Sequence, residues 1–224
     1  MRRFLRDNSL SIVFLLLFLA AFCGQAIAGH ADFNDEANRH GDPTISLARY
    51  VVSSDFGSAV MENWQSEYLQ FTLFILLTVW LLQRGSPESK ELDKAGVESD
   101  EAQKVGPHAQ QNSPRWAKVD GIRRTIYENS LLLLMGALWL GTWLAQSRTG
   151  VVQYNSERLD HHQGPVAWSH YLTTGNFWDN TLQNWQSEFL AVGSMAIFAV
   201  YLRQRGSPES KPVGAPHGAT GVEG

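Results

Sequence analysis

Cysteine is almost missing from this chain of 224 residues, which has one, Cys23. An internal disulfide is therefore excluded, and Cys23, set in an apolar run, reads as a small buried hydrophobe rather than a reactive thiol. Charge is scarce as well. Charged residues make up 18% of the sequence, against about 25% in an average soluble protein. There is no excess of positive charge, the formal net charge being −4, so nucleic-acid binding has no electrostatic support. The short signatures of catalysis and cofactor binding are absent too: no P-loop, dinucleotide fingerprint, GxSxG, CxxC or HExxH occurs. The chain reads as a non-enzyme, with no catalytic residue, cofactor or metal expected.

What the chain does contain, it contains twice. Asn63-Trp64-Gln65-Ser66-Glu67 returns as Asn184-Trp185-Gln186-Ser187-Glu188, and the segment QRGSPESK at 83–90 returns letter for letter at 204–211. Both pairs are 121 residues apart, as are Asn8 and Asn129, Gln25 and Gln146, Gly29 and Gly150, Asn34 and Asn155, His40 and His161, Tyr50 and Tyr171, and Phe56 and Phe177. A constant offset over that length predicts tandem duplication of one unit of about ninety residues.

Each unit carries two apolar segments. Residues 8–29 are charge-free, and 129–147 contain LLLLMGALWLGTWLA; both meet the roughly 20 residues that a bilayer span needs. Residues 68–83 and 189–202 are shorter, and reach that length only if the NWQSE motif joins the helix. The apolar runs lack the polar face of a soluble helix. The start of the chain imitates a signal peptide, with Arg2 and Arg3 before an apolar stretch and Ala26-Ile27-Ala28 after it. Its counterpart at 129–147 lies mid-chain, which favours a retained first span. The expectation is an all-α membrane protein with spans at about 9–28, 63–82, 127–146 and 184–202.

Basic residues set the orientation. Of the 18 lysines and arginines, fourteen lie in the N-terminus, the middle segment and the C-terminus, and four lie in or beside the two loops at 29–62 and 147–183. Both termini and the linker at 91–121 are predicted to be cytoplasmic, and the two loops outside. An even number of spans per unit makes the repeats, 1–90 and 122–211, parallel rather than inverted. The linker is polar and mixed in charge and reads as disordered, as does the tail at 212–224.

In QRGSPESK, Gly85 and Gly206 suit a left-handed position after a helix end, and Arg84 and Arg205 suit the headgroup region. A helix stop with an interfacial anchor accounts for every residue type; a docking motif for a cytoplasmic partner is the alternative. In the other motif, Asn63, Glu67 and Gln70 fall at i, i+4 and i+7 on one helical stripe, and Asn184 and Glu188 repeat its first two members. Trp64 and Trp185 supply the aromatic surface of a membrane interface. Gln25 and Gln146, near the outer ends of their spans, are placed to hydrogen-bond the glutamates. A carboxylate facing lipid is costly, so Glu67 and Glu188 should turn into the bundle or toward water. Two readings remain open: interhelical hydrogen bonds that clip the spans together, or a pseudo-symmetric carboxylate pair lining a site for a proton, cation or polar solute. Loop histidines His40, His161, His162 and His170 lack metal-ligand spacing and read as solvated.

With FLRDNSLS at its start, NWQSE(Y/F)L at each second span and GSPESK ending each half, the chain resembles a family of small bacterial membrane proteins known only as a domain of unknown function. The resemblance implies a bacterial plasma (inner) membrane location. It implies no activity, so two functional expectations stand. One is a small transporter or channel-like bundle built on Glu67 and Glu188. The other is a structural or regulatory membrane protein that binds an unidentified partner protein through its outer loops or GSPESK segments. Four spans are few for a transporter, and a homodimer would supply eight. Lipid is the expected surrounding and nucleic acid is not an expected partner.

Overall fold

The structure, a computed structural model, describes residues 2–222. Among the described residues there is no strand. The helices are α1 (Arg2–Asp7), α2 (Ser9–His40), α3 (Leu47–Tyr50), α4 (Ser54–Leu77), α5 (Ile122–Glu128), α6 (Ser130–Asp160), α7 (Trp168–Tyr171) and α8 (Gly175–Tyr201). The fold class is thus all-α. Two helices, α2 and α6, are long and apolar enough to cross a membrane, where the sequence predicts four. In α4 and α8 the polar motif lies inside the helix and dilutes its apolar run. In addition, α4 stops at Leu77, so Val79 to Leu82 contribute nothing to it.

Both long helices outrun the predicted spans. α2 continues through Asp32, Asp35 and Glu36 for 32 residues, about 48 Å at 1.5 Å per residue. Nothing between Gly29 and His40 breaks a helix, and polar side chains are tolerated where they are exposed. The stop comes at Gly41, at φ 79°, where Gly41 N–H bonds Asn38 C=O (3.3 Å) and Asp42 N–H bonds Ala37 C=O (2.8 Å). This is a Schellman cap, followed by Pro43. α6 ends the same way: His162 takes φ 56°, bonding Leu159 (2.9 Å), while Gln163 bonds Arg158 (2.7 Å). The loops therefore shrink to 41–53 and 161–174, each holding a one-turn helix. α4 and α8 then start on matching caps: Ser53 Oγ accepts from Phe56 N–H and Thr174 Oγ from Phe177 N–H, both at 3.3 Å.

The chain divides into two compact units. The first comprises Met1–Met61 and Ala145–Tyr171. Its loops are pinned by an asparagine and a tyrosine. Asn34 brackets Ile45, donating to its carbonyl (3.0 Å) and accepting from its N–H (2.9 Å); Asn155 brackets Val166 at 3.0 and 2.8 Å. Tyr50 packs among His30, Phe33 and Phe56 with its hydroxyl against Gly29, where a Cβ would collide with it; Tyr171 does the same at Gly150, beside Tyr154. The asparagine brackets and the tyrosine–glycine contacts recur 121 residues on, whereas the His30 ring has no counterpart, because Val151 stands there.

The second unit comprises Glu62–Leu144 and Leu172–Gly224. Its aromatic centre is Trp143, with ring centroids of Trp139, Phe177, Trp178 and Trp185 at 5.7–6.2 Å. Its linker carries two 3-10 turns, Gly106–His108 and Arg115–Lys118, and is tied down by Arg124, which pairs with Asp100 and Glu128 at 2.5 Å.

Candidate functional site

The NWQSE motif stands mid-helix in both copies, because the Ser53 and Thr174 caps start each helix nine residues before the motif. In the second unit the two copies meet. Trp185 Nε1 donates to Gln65 Oε1 at 2.8 Å, with Gln65 fully buried. Asn180 Nδ2 donates to Glu62 Oε1 at 3.3 Å. Ser66 Oγ lies 2.8 Å from Asn63 C=O and 3.4 Å from Glu188 Oε1; its single proton serves the shorter contact first, so the carboxylate contact is the weaker. Asn184 spends its amide on Asn180 C=O (2.8 Å), inside its own helix.

Glu67 and Asn63 are exposed, Glu188 is half-buried, and Glu67 lies within coulombic range of Glu188. Trp64 is half-buried. Gln25, exposed on α2, and Gln146, buried on α6, belong to the first unit. The buried residues of α4 include Ser58, Gln65, Leu69 and Thr72 at helical intervals, with Phe56, Val60 and Ser66 beside them, and none of the Asn63–Glu67–Gln70 stripe. The sequence carried a signal for this burial: Leu69 shares a face with Gln65, whereas the charged stripe drew attention by its chemistry alone.

Gln70 lines a pocket of about 380 Å³ between α4 and α8, walled by Phe74, Leu77, Phe189 and Val192. Glu88, from the first QRGSPESK copy, also lines it. Both copies of that segment fold into the same self-closed turn. Ser89 Oγ accepts from Gln83 N–H (3.0 Å) and Ser210 Oγ from Gln204 N–H (2.9 Å), with Gly85 and Gly206 at φ 85° and 81°. The left-handed glycines are as the sequence predicts, but the helices end earlier, at Leu77 and Tyr201, so the turn is a separate element and not a helix cap.

The lysines that end the two copies close over the chain that follows. Lys90 Nζ pairs with Glu98 (2.6 Å) and donates to Gly96 C=O (2.8 Å). Lys211, 1% exposed, gives its three donors to the carbonyls of Pro216, His217 and Ala219. Burial, then the neighbouring Arg203 charge, lowers its pKa below the usual lysine value. The tail continues to the first copy, with Thr220 Oγ1 accepting from Gly85 N–H (2.9 Å) and Gly221 N–H donating to Ser86 C=O (3.0 Å). Glu88 and Glu209, the same position in each copy, lie within interaction range of each other. Although Glu88 is exposed overall, partial desolvation, followed by hydrogen bonding to Glu209 and the Glu209 charge, raises it to about 7.

One family, described as a domain of unknown function (DUF6766), matches residues 1–222, and the chain belongs to it. No curated protein matches the chain. No solved structure matches it either.

Proposed function

We propose, starting from that membership, that this is an integral protein of the bacterial plasma membrane with four spans, in which α4 and α8 cross as well as α2 and α6. The observation that carries the membrane reading is α2. None of its most apolar 18-residue window is buried, and Leu10, Phe14 and Leu16 are 72, 63 and 60% exposed. A helix apolar all round and uncovered by protein needs lipid to cover it. The mid-chain position of α6 supports a retained span over a cleaved signal. The recurrence of caps and loop pins at one offset supports two parallel repeats, and the fourteen-to-four distribution of basic residues supports cytoplasmic termini.

Within that frame the protein is a small non-enzymatic bundle with a polar centre at the meeting of the NWQSE copies, of transporter or channel type, and a homodimer would bring two such centres together. Glu67, exposed and within range of Glu188, is the group that meets solute. The test is flux in proteoliposomes. Glu67→Gln with Glu188→Gln abolishes proton or cation flux while the protein still inserts; unchanged flux removes the carboxylate site. A second reading is favoured by the Trp185–Gln65 bond, which joins two helices around a fully buried amide. In that reading the motif is a clip, and the protein is a structural or regulatory scaffold whose loops or GSPESK turns hold a partner. Site-specific crosslinking at those turns, with no flux, supports it.

A further inference from the structure

The pocket between α4 and α8 exists because α8 is thin there. Gly193 and Ala196 face it, and a Cβ on Gly193 would meet nothing within 4 Å. Its exposed lining is mainly aliphatic and aromatic, with Gln70, Thr78, Gln83, Ser86 and Ser89 as uncharged polar members, and its volume of about 380 Å³ lies in the range of small-molecule sites. A second pocket of about 300 Å³ shares Gln70, Phe74, Val192 and Glu88 with it. Glu88 is the one titratable side chain lining either pocket.

Among the described residues Glu88 has no cationic partner. Lys90, two residues on, is engaged by Glu98 and Gly96, and Lys211 by the tail carbonyls. The group that faces Glu88 is another carboxyl, Glu209. The site thus offers a largely apolar chamber, with aromatic rings and an uncompensated acid in its lining. A hydrophilic cation would leave the walls wet, and an acyl chain would leave the acid unanswered. A bulky apolar cation satisfies both, with the rings of Phe74 and Phe189 adding cation–π attraction.

We propose that this pocket binds a lipophilic monocation, an apolar-bodied onium compound whose charge is set against Glu88. The proposal needs no flux and stands with either reading above. Because Glu88 holds a proton up to about pH 7, cation binding releases that proton to solvent, and acid competes with the ligand.

The test uses purified full-length protein in detergent micelles and titrates tetraphenylphosphonium against its anionic isostere, tetraphenylborate. Saturable binding of the phosphonium is expected, with one site per chain and at least tenfold preference over the borate. The affinity weakens from pH 8 to pH 5.5 and falls at least tenfold in Glu88→Gln. Gly193→Leu, which fills the chamber, abolishes binding while leaving helix content unchanged. Glu209→Gln moves the pH midpoint of binding downward, by removing the neighbouring charge. Equal binding of phosphonium and borate would reveal partition into a lipid-like groove and overturn the proposal, as would undiminished affinity in Glu88→Gln. The isostere comparison needs only the unaltered chain, so it decides the matter even if a variant fails to fold.

Discussion

The two NWQSE copies share every letter and differ in their surroundings. Gln65 and Ser66 are buried while Gln186 and Ser187 are exposed; Glu67 is exposed while Glu188 is half-buried. The loop pins behave in the opposite way, since Asn34 and Asn155 bracket their loops at matching distances and Tyr50 and Tyr171 bury against Gly29 and Gly150 alike. The difference lies in range. A pin closes over only 11 or 21 residues, so matching local sequences give matching contacts. The motif contact spans 120 residues from one copy to the other, and a pair in which Trp185 donates and Gln65 accepts assigns unlike roles to like residues. Duplicated sequence fixes local structure twice, but it fixes an interface once.

This comparison can be broken first at the pins. Gly150→Ala places a Cβ on the Tyr171 hydroxyl and should cost about 1–3 kcal/mol through overpacking. Gly29→Ala should cost a similar amount, and thermal unfolding in micelles measures both. Equal shifts sharpen the claim that pins are local, and a shift at one position alone breaks it. A smaller and deliberately unequal effect is expected at the motif. Gln65→Ala removes the acceptor of a buried indole bond and should cost about 1–2 kcal/mol, whereas Gln186→Ala on the exposed copy should stay within about 0.5 kcal/mol.

The smallest effect concerns the paired carboxyls. Glu88 is raised to about 7, whereas an unperturbed glutamate titrates near 4.5. A raised carboxyl favours the protonated form in the folded state. That stabilisation is full below the ordinary glutamate value and fades as pH climbs through about 7. Stability of the second unit should therefore decline from pH 5 to pH 8, read as a falling melting temperature. Glu88→Gln should flatten that decline. Because Glu88 remains solvent-accessible, the slope is expected to be shallow.

Much of this was legible in the sequence. The apolar runs located α2 and α6, and the glycines of QRGSPESK marked left-handed turns. The extents were less so. Asp32, Asp35 and Glu36 looked like loop because they are charged, yet an exposed helix end accepts them, and only Gly41 and Pro43 stop it. The start of α4 and α8 depends on Ser53 and Thr174, short polar residues whose capping role appears only once the chain turns at that point. At the site, charge pointed to Glu67 and Glu188, whereas burial selected Gln65, an uncharged neighbour on the next face. Composition marks the tail as disordered, and it does not register that the Lys211 ammonium can gather three backbone carbonyls.

The most direct test of the four-span, parallel-repeat account is sidedness. Single cysteines at positions 42, 95, 163 and 217, in a Cys23→Ser background, would be labelled in intact cells with a membrane-impermeant maleimide. The account predicts labelling at 42 and 163, with 95 and 217 reacting only after permeabilisation. If α2 and α6 alone cross the membrane, 42 and 95 will label together and 163 will be protected. That pattern would contradict the account.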